Sequence, residues 1–144
     1  MTTGLAVLGA CHIVTALGLR PAAVPGRWLL AIGGASTLVV AAAPQPVHGS
    51  ARVHIVAATI GFVALAVWSL AASRTDGPAV LRRRTGAIAT VLLLAMLGWL
   101  GGEIGSGSLL GLSERVLAGT QALWPFAVVL LLRSRRTQAA RMAP

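Results

Sequence analysis

The sequence predicts an all-helical, polytopic membrane bundle of about five transmembrane helices. Three observations predict it. Of the 144 residues, 56% are hydrophobic and only 10% are charged, whereas soluble domains carry roughly 25% charged residues. The mean hydropathy is +0.83. The apolar residues gather into five runs separated by helix-breaking punctuation. A chain this poor in charge cannot clothe a globule in polar surface, so lipid is its natural solvent. The length fits one domain spanning residues 1–144.

The runs cover 4–19, 28–43, 53–72, 86–102 and 115–132. A span needs about 20 residues, with a range of roughly 17–25. The third and fifth fit easily; the first, second and fourth borrow flanking residues. No strand alternation is visible, and an open sheet in lipid would leave its edges without hydrogen bonds.

Pro21 and Pro25 separate the first run from the second, and the stretch from Pro44 through His48 to Ser50 separates the second from the third. Thr75-Asp76-Gly77-Pro78 forms the next turn. Gly101-Gly102 and Gly105-Ser106-Gly107-Ser108 divide the fourth from the fifth. Ser113 is the expected cap of the fifth helix, with Glu114 in its first turn, where the helix dipole favours an anion. The first run has no positive residue before it, and Arg20 follows it. That polarity is wrong for a cleaved signal peptide.

All twelve basic residues are arginine, and the formal net charge is +9. Nucleic-acid binding is excluded by placement, because the arginines sit in short gaps between apolar runs. With five spans, Arg20, Arg27, Arg74, Arg82, Arg83, Arg84, Arg133, Arg135, Arg136 and Arg141 share one side. Arg52 and Arg115 lie on the other. The positive-inside rule then sets the N-terminus outside and the C-terminus in the cytoplasm, in a bacterial cytoplasmic membrane. The lone cysteine, Cys11, reads as a small packing residue.

Seven ionisable residues lie off the arginine-rich side: His12, His48, Arg52, His54, Glu103, Glu114 and Arg115. Six of them fall at outer helix ends or in outer loops, so a bundle brings them to one rim. There they form a candidate pocket for a headgroup, an anion or a proton. The plainer reading pairs Glu103 with Arg115 and Glu114 with Arg52 as helix-end ion pairs, and it is favoured because desolvation at an interface is modest. Glu114, Ala118, Gln121 and Pro125 share one face of the fifth helix, and His54, Ala58 and Gly61 share one face of the third. Small residues let helices approach closely, so a polar groove between these two helices is expected. Gln121 is a candidate there, although an amide in a span bonds a neighbouring backbone more often than a ligand.

His12 lies about ten residues inside the first helix, near its middle at 1.5 Å per residue. An intramembrane ionisable group is a functional hypothesis by default. A structural histidine bonded to a helix neighbour is the favoured alternative. Haem is not expected, because bis-histidine ligation needs a second histidine at the same depth. No metal-ligand spacing, catalytic motif or phosphate loop is present, so neither a catalytic residue nor a cofactor is assigned. Trp28, Trp68, Trp99 and Trp124 suit interfacial belts or packing.

Two stretches carry a resemblance. One runs from Ala43-Pro44 through His48-Gly49 to His54. The other is Gly111-Leu112-Ser113-Glu114-Arg115-Val116-Leu117-Ala118, followed by Leu123-Trp124-Pro125. Together they resemble the prokaryotic membrane family known as domain of unknown function nine-nine-eight. The resemblance implies an integral membrane protein with no established activity, and it marks His48, His54, Glu114 and Arg115 as positions worth testing. That family typically has six helices, and this chain resembles it from the second helix onward.

The expected function is therefore a non-enzymatic membrane protein with a small polar pocket for a lipid or small molecule at its outer rim. Two alternatives stand beside it: a structural subunit of a membrane assembly, as a homo-oligomer or with partner subunits, and a redox or proton-relay protein using His12. The bilayer itself is the one partner composition implies.

Overall fold

A computed structural model describes residues 2–43 and 51–142. Five α-helices follow one another: α1 (Thr2–Gly18), α2 (Val24–Ala42), α3 (Arg52–Ala71), α4 (Arg83–Ser106) and α5 (Leu110–Met142). A single 3-10 turn (Ala79–Leu81) precedes α4. No strand occurs among the described residues. Four helices, α2 to α5, are long and apolar enough to cross a membrane. The fifth, α1, is apolar and 17 residues long, about 25 Å at the helical rise.

The expected ends of α4 and α5 shift. The fourth helix does not stop at Gly101-Gly102 but continues to Ser106. Glycine costs a helix about 1 kcal/mol in water, whereas an unsatisfied backbone group in hydrocarbon costs several. Continuing the helix is the cheaper course. The fifth helix starts at Leu110, so Ser113 is inside its first turn rather than capping it, and donates to the Leu110 carbonyl at 2.9 Å. The same helix runs on to Met142, carrying the tail arginines in helical form; arginine is a good helix former.

Each helix reverses the direction of the last. One end of the bundle therefore collects the start of α1, the end of α2, the start of α3, the end of α4 and the start of α5. Arg52 and Arg115 belong to this end. The other ten arginines belong to the opposite one.

The α1–α2–α3 layer is held by glycine. A Cβ on Gly9 would stand 2.7 Å from the Gly34 carbonyl oxygen, and one on Gly34 equally close to that of Gly9. At the arginine-rich end, a Cβ on Gly26 would run into the backbone of Ala72, and the Ala23 N–H donates to the Ala72 carbonyl at 3.0 Å. Arg27 closes the end of α1, donating to the carbonyls of Ala16 (2.8 Å) and Leu17 (3.1 Å). A cation is favoured there by the helix dipole as well.

The main core sits at the same end. Leu19, Leu30, Leu65, Trp68, Leu81 and Val128 pack together across α1, α2, α3, the 3-10 turn and α5. Trp124 ties α5 to α3 by donating to Ser69 Oγ at 2.5 Å. A second cluster of Ala66, Leu93, Leu100 and Leu117 joins α3, α4 and α5. Trp28 and Trp99 are exposed near helix ends. Cys11 is exposed too, and so is not the packing residue its apolar surroundings predict.

Candidate functional site

Toward the end opposite the arginine cluster, α5 stands away from α1 and α3. The faces that look across this gap are built from small side chains: Ala57, Ala58 and Gly61 on α3, Ala41 on α2 and Ala118 on α5. They leave a partly open cavity of about 340 Å³ between α1, α2, α3 and α5. That volume lies at the small end of ligand pockets, which run about 300–1,000 Å³. Its walls are mostly apolar, with Leu5, Leu8, Val40, Phe62 and Leu65 among them.

Four polar residues singled out in the sequence line this cavity: His12, His54, Glu114 and Gln121. Glu114 and His54 stand near the open helix ends. Gln121 lies seven residues further along α5, about 10 Å deeper, and His12 is at its level on α1. The groove between α3 and α5 that the spacing predicts is thus present, with α1 forming its third wall.

Each of these groups has a particular local role. His54 donates from Nδ1 to the Ala43 carbonyl at 2.8 Å, serving the last carbonyls of α2. Gln121 is 1% exposed and donates from Nε2 to the Phe62 carbonyl at 2.9 Å. Its Oε1 is buried with no partner. Glu114 is exposed at the mouth and forms no ion pair among the described residues.

His12 bridges two helices. Its Nδ1 stands 3.0 Å from the Leu8 carbonyl and its Nε2 3.5 Å from the Gln121 carbonyl. Both are acceptors, and a neutral imidazole carries one N–H. That one proton can serve either carbonyl but not both at once. The Gln121 carbonyl is unusual in its own right, because its regular helical partner would be the N–H of residue 125. That residue is Pro125, which has none. The ring of His12 therefore faces a backbone group that proline has freed.

The other candidates stand apart. Arg52 is exposed and borders a shallow apolar groove on the outer face of α2 and α3, lined by Ile32, Val39 and Val56. Arg115 is exposed and absent from the cavity wall. Glu103 is on α4, where it accepts from Trp99 Nε1 at 3.3 Å and from the Leu109 N–H at 3.2 Å. It closes the α4–α5 turn. The expected pairs Glu103–Arg115 and Glu114–Arg52 do not form. Adjacent helical residues such as Glu114 and Arg115 point about 100° apart, so a shared helix end does not bring them to one face. His48 lies outside the described residues. Among the described residues no cluster of three or more His, Cys, Asp or Glu could hold a metal ion.

A family model described as "Protein of unknown function (DUF998)" matches residues 1–131. The chain belongs to the DUF998 family. No curated protein and no solved structure matches it. Membership in DUF998 and four apolar helices of spanning length together make the chain an integral membrane protein.

Proposed function

We propose that this DUF998 member is a membrane-embedded binding protein, holding a small molecule or one end of a lipid in the cavity between α1, α2, α3 and α5. The observation that carries this reading is the cavity itself. Three helices contribute His12, His54, Glu114 and Gln121 to one space of about 340 Å³, otherwise walled by apolar and small side chains. A few placed polar groups in an apolar concavity is the usual composition of a ligand site. A channel is disfavoured, because the cavity ends at the packed cluster of Leu30, Leu65, Trp68 and Val128. The arginine distribution further supports a C-terminus on the cytoplasmic side of a bacterial cell membrane.

A second reading, a subunit of an assembly, draws on α4. Gly98, Gly101 and Gly105 share one face of α4, with nothing beside them. Such faces serve close helix packing in membranes.

Native mass spectrometry of the protein released from mild detergent separates these readings. The binding protein retains a small molecule or lipid that is lost when Ala118→Phe fills the cavity. The same adducts on both proteins, or none on either, would overturn the binding reading. A dimer mass that Gly101→Leu abolishes would favour the assembly.

A further inference from the structure

We infer that the cavity selects a cationic amphiphile: a primary ammonium held at the mouth by Glu114, with an apolar chain running along the shaft toward Gln121. The inference rests on the binding reading above and names the ligand class for it.

The argument is a count of hydrogen-bonding capacity. Nearly every donor in the cavity wall is already committed to a backbone carbonyl. Gln121 Nε2 is given to Phe62, His54 Nδ1 to Ala43, Thr37 Oγ1 to Gly33 at 2.8 Å, and the one N–H of His12 to Leu8 or Gln121. What is left over consists of acceptors. They are the Glu114 carboxylate and the second ring nitrogen of His54 near the mouth and, deeper, Gln121 Oε1, which has no partner among the described residues. Among the described side chains of the wall, the hydroxyl of Thr2 is the one donor without a hydrogen bond.

Charge points the same way. Among the described residues, Glu114 is the only formally charged side chain in the wall; neither Arg52 nor Arg115 is part of it. An anionic headgroup would meet one carboxylate and a set of lone pairs. A primary ammonium, with three donors and no acceptor, complements the two acceptors near the mouth, Glu114 and His54. It belongs at the mouth, because burying a charge without an opposite partner is costly and Glu114 stands there. The apolar walls then take the chain. The volume of about 340 Å³ suits a single short chain rather than a whole diacyl lipid.

Three probes of equal length and different heads test this: octylamine, octanol and octanoate. Each is titrated against the protein in phosphatidylcholine nanodiscs, with Trp124, about one turn of α5 beyond Gln121, as the fluorescent reporter. Three variants are run in parallel. Glu114→Gln removes the charge from an exposed, unpartnered side chain, so the fold is retained. Ala118→Leu and Ala58→Leu fill the shaft from opposite walls.

Octylamine is expected to bind about tenfold more tightly than octanol, the scale of one charge-assisted hydrogen bond, with octanoate weakest. Glu114→Gln should bring octylamine and octanol together, and both filling variants should weaken all three. Adding phosphatidylethanolamine to the nanodiscs identifies the source of the amine: displacement of octylamine assigns it to a lipid headgroup, and no displacement to a free solute. If octanol or octanoate binds best, still blocked by filling the shaft, the amine inference is overturned while the binding reading stands. If none of the three binds in a way that filling the shaft abolishes, the binding reading falls and takes the amine inference with it.

Discussion

The two ends of the bundle solve opposite problems with the same small vocabulary of residues. At the arginine-rich end, small residues bring backbones together: Gly26 against Ala72, with the gap beyond filled by Leu30, Trp68 and Val128. At the other end, Ala57, Ala58, Gly61 and Ala118 are equally small, yet α5 does not close on them and a cavity remains. Small side chains therefore do not by themselves produce close packing. The difference lies in what large residues stand opposite. Trp68 and Trp124 fasten α5 to α3 at one end, and among the described residues no aromatic side chain performs that task at the mouth.

The sharpest way to break this contrast is at Gly26. A methyl group there meets the Ala72 backbone, which cannot rotate away as a side chain could. Gly26→Ala should cost about 3 kcal/mol or more, at or above the upper range for overpacking. A lowered unfolding midpoint in detergent, or loss of folded protein, checks it. Trp68→Ala should follow closely, at about 3–5 kcal/mol for a buried large-to-small change; Trp68 is 1% exposed. Ala58→Leu, at the hollow end, should by contrast leave the midpoint unchanged or raise it. A loss as large as that at Gly26 would show that the cavity is absent in the folded protein.

How much of this was legible in the sequence follows from what a linear chain encodes. Residue counting gives height along a helix, and four heights read that way are met: His54 and Glu114 near one end, Gln121 and His12 deeper. It does not give the direction in which a residue points across the bundle. Glu103, Glu114, Arg52 and Arg115 share a level but face different ways, which is why their expected pairs fail. The faces of α3 and α5 were readable because their polar and small residues repeat at helical spacing. The face of α1 was not, because His12 is isolated among residues such as Cys11 and Val14 that turn outward. The end of α4 moved because an unpaired backbone group in lipid costs more than glycine's helix penalty, and α5 runs on through its tail because arginine is a good helix former.

A smaller effect is expected at Gln121. Its Nε2 makes one bond to the Phe62 carbonyl, while its Oε1 is buried with none. Gln121→Leu loses the first, worth about 1 kcal/mol net, and relieves the second, whose burial costs about 1–3 kcal/mol. The two nearly cancel, so the unfolding midpoint should stay within a few degrees of the parent. A fall as large as that of Trp68→Ala would mean that the amide is fully satisfied and that the floor of the cavity is a structural network.

The smallest effect distinguishes a proline that merely kinks from one that creates a binding group. Pro125→Ala returns an N–H to α5 and with it the regular partner of the Gln121 carbonyl. His12 then faces a carbonyl already in use, so its link to α5 should weaken while α5 itself gains. The net change in stability should be slight, about 1 kcal/mol in favour of the variant. Coupling is the more telling quantity. In a double-mutant cycle, His12→Phe should cost less in the Pro125→Ala background than in the parent, because the contact it removes has already been weakened. Additive effects would separate the two residues, leaving His12 held by Leu8 alone and the 3.5 Å approach to Gln121 without energetic weight.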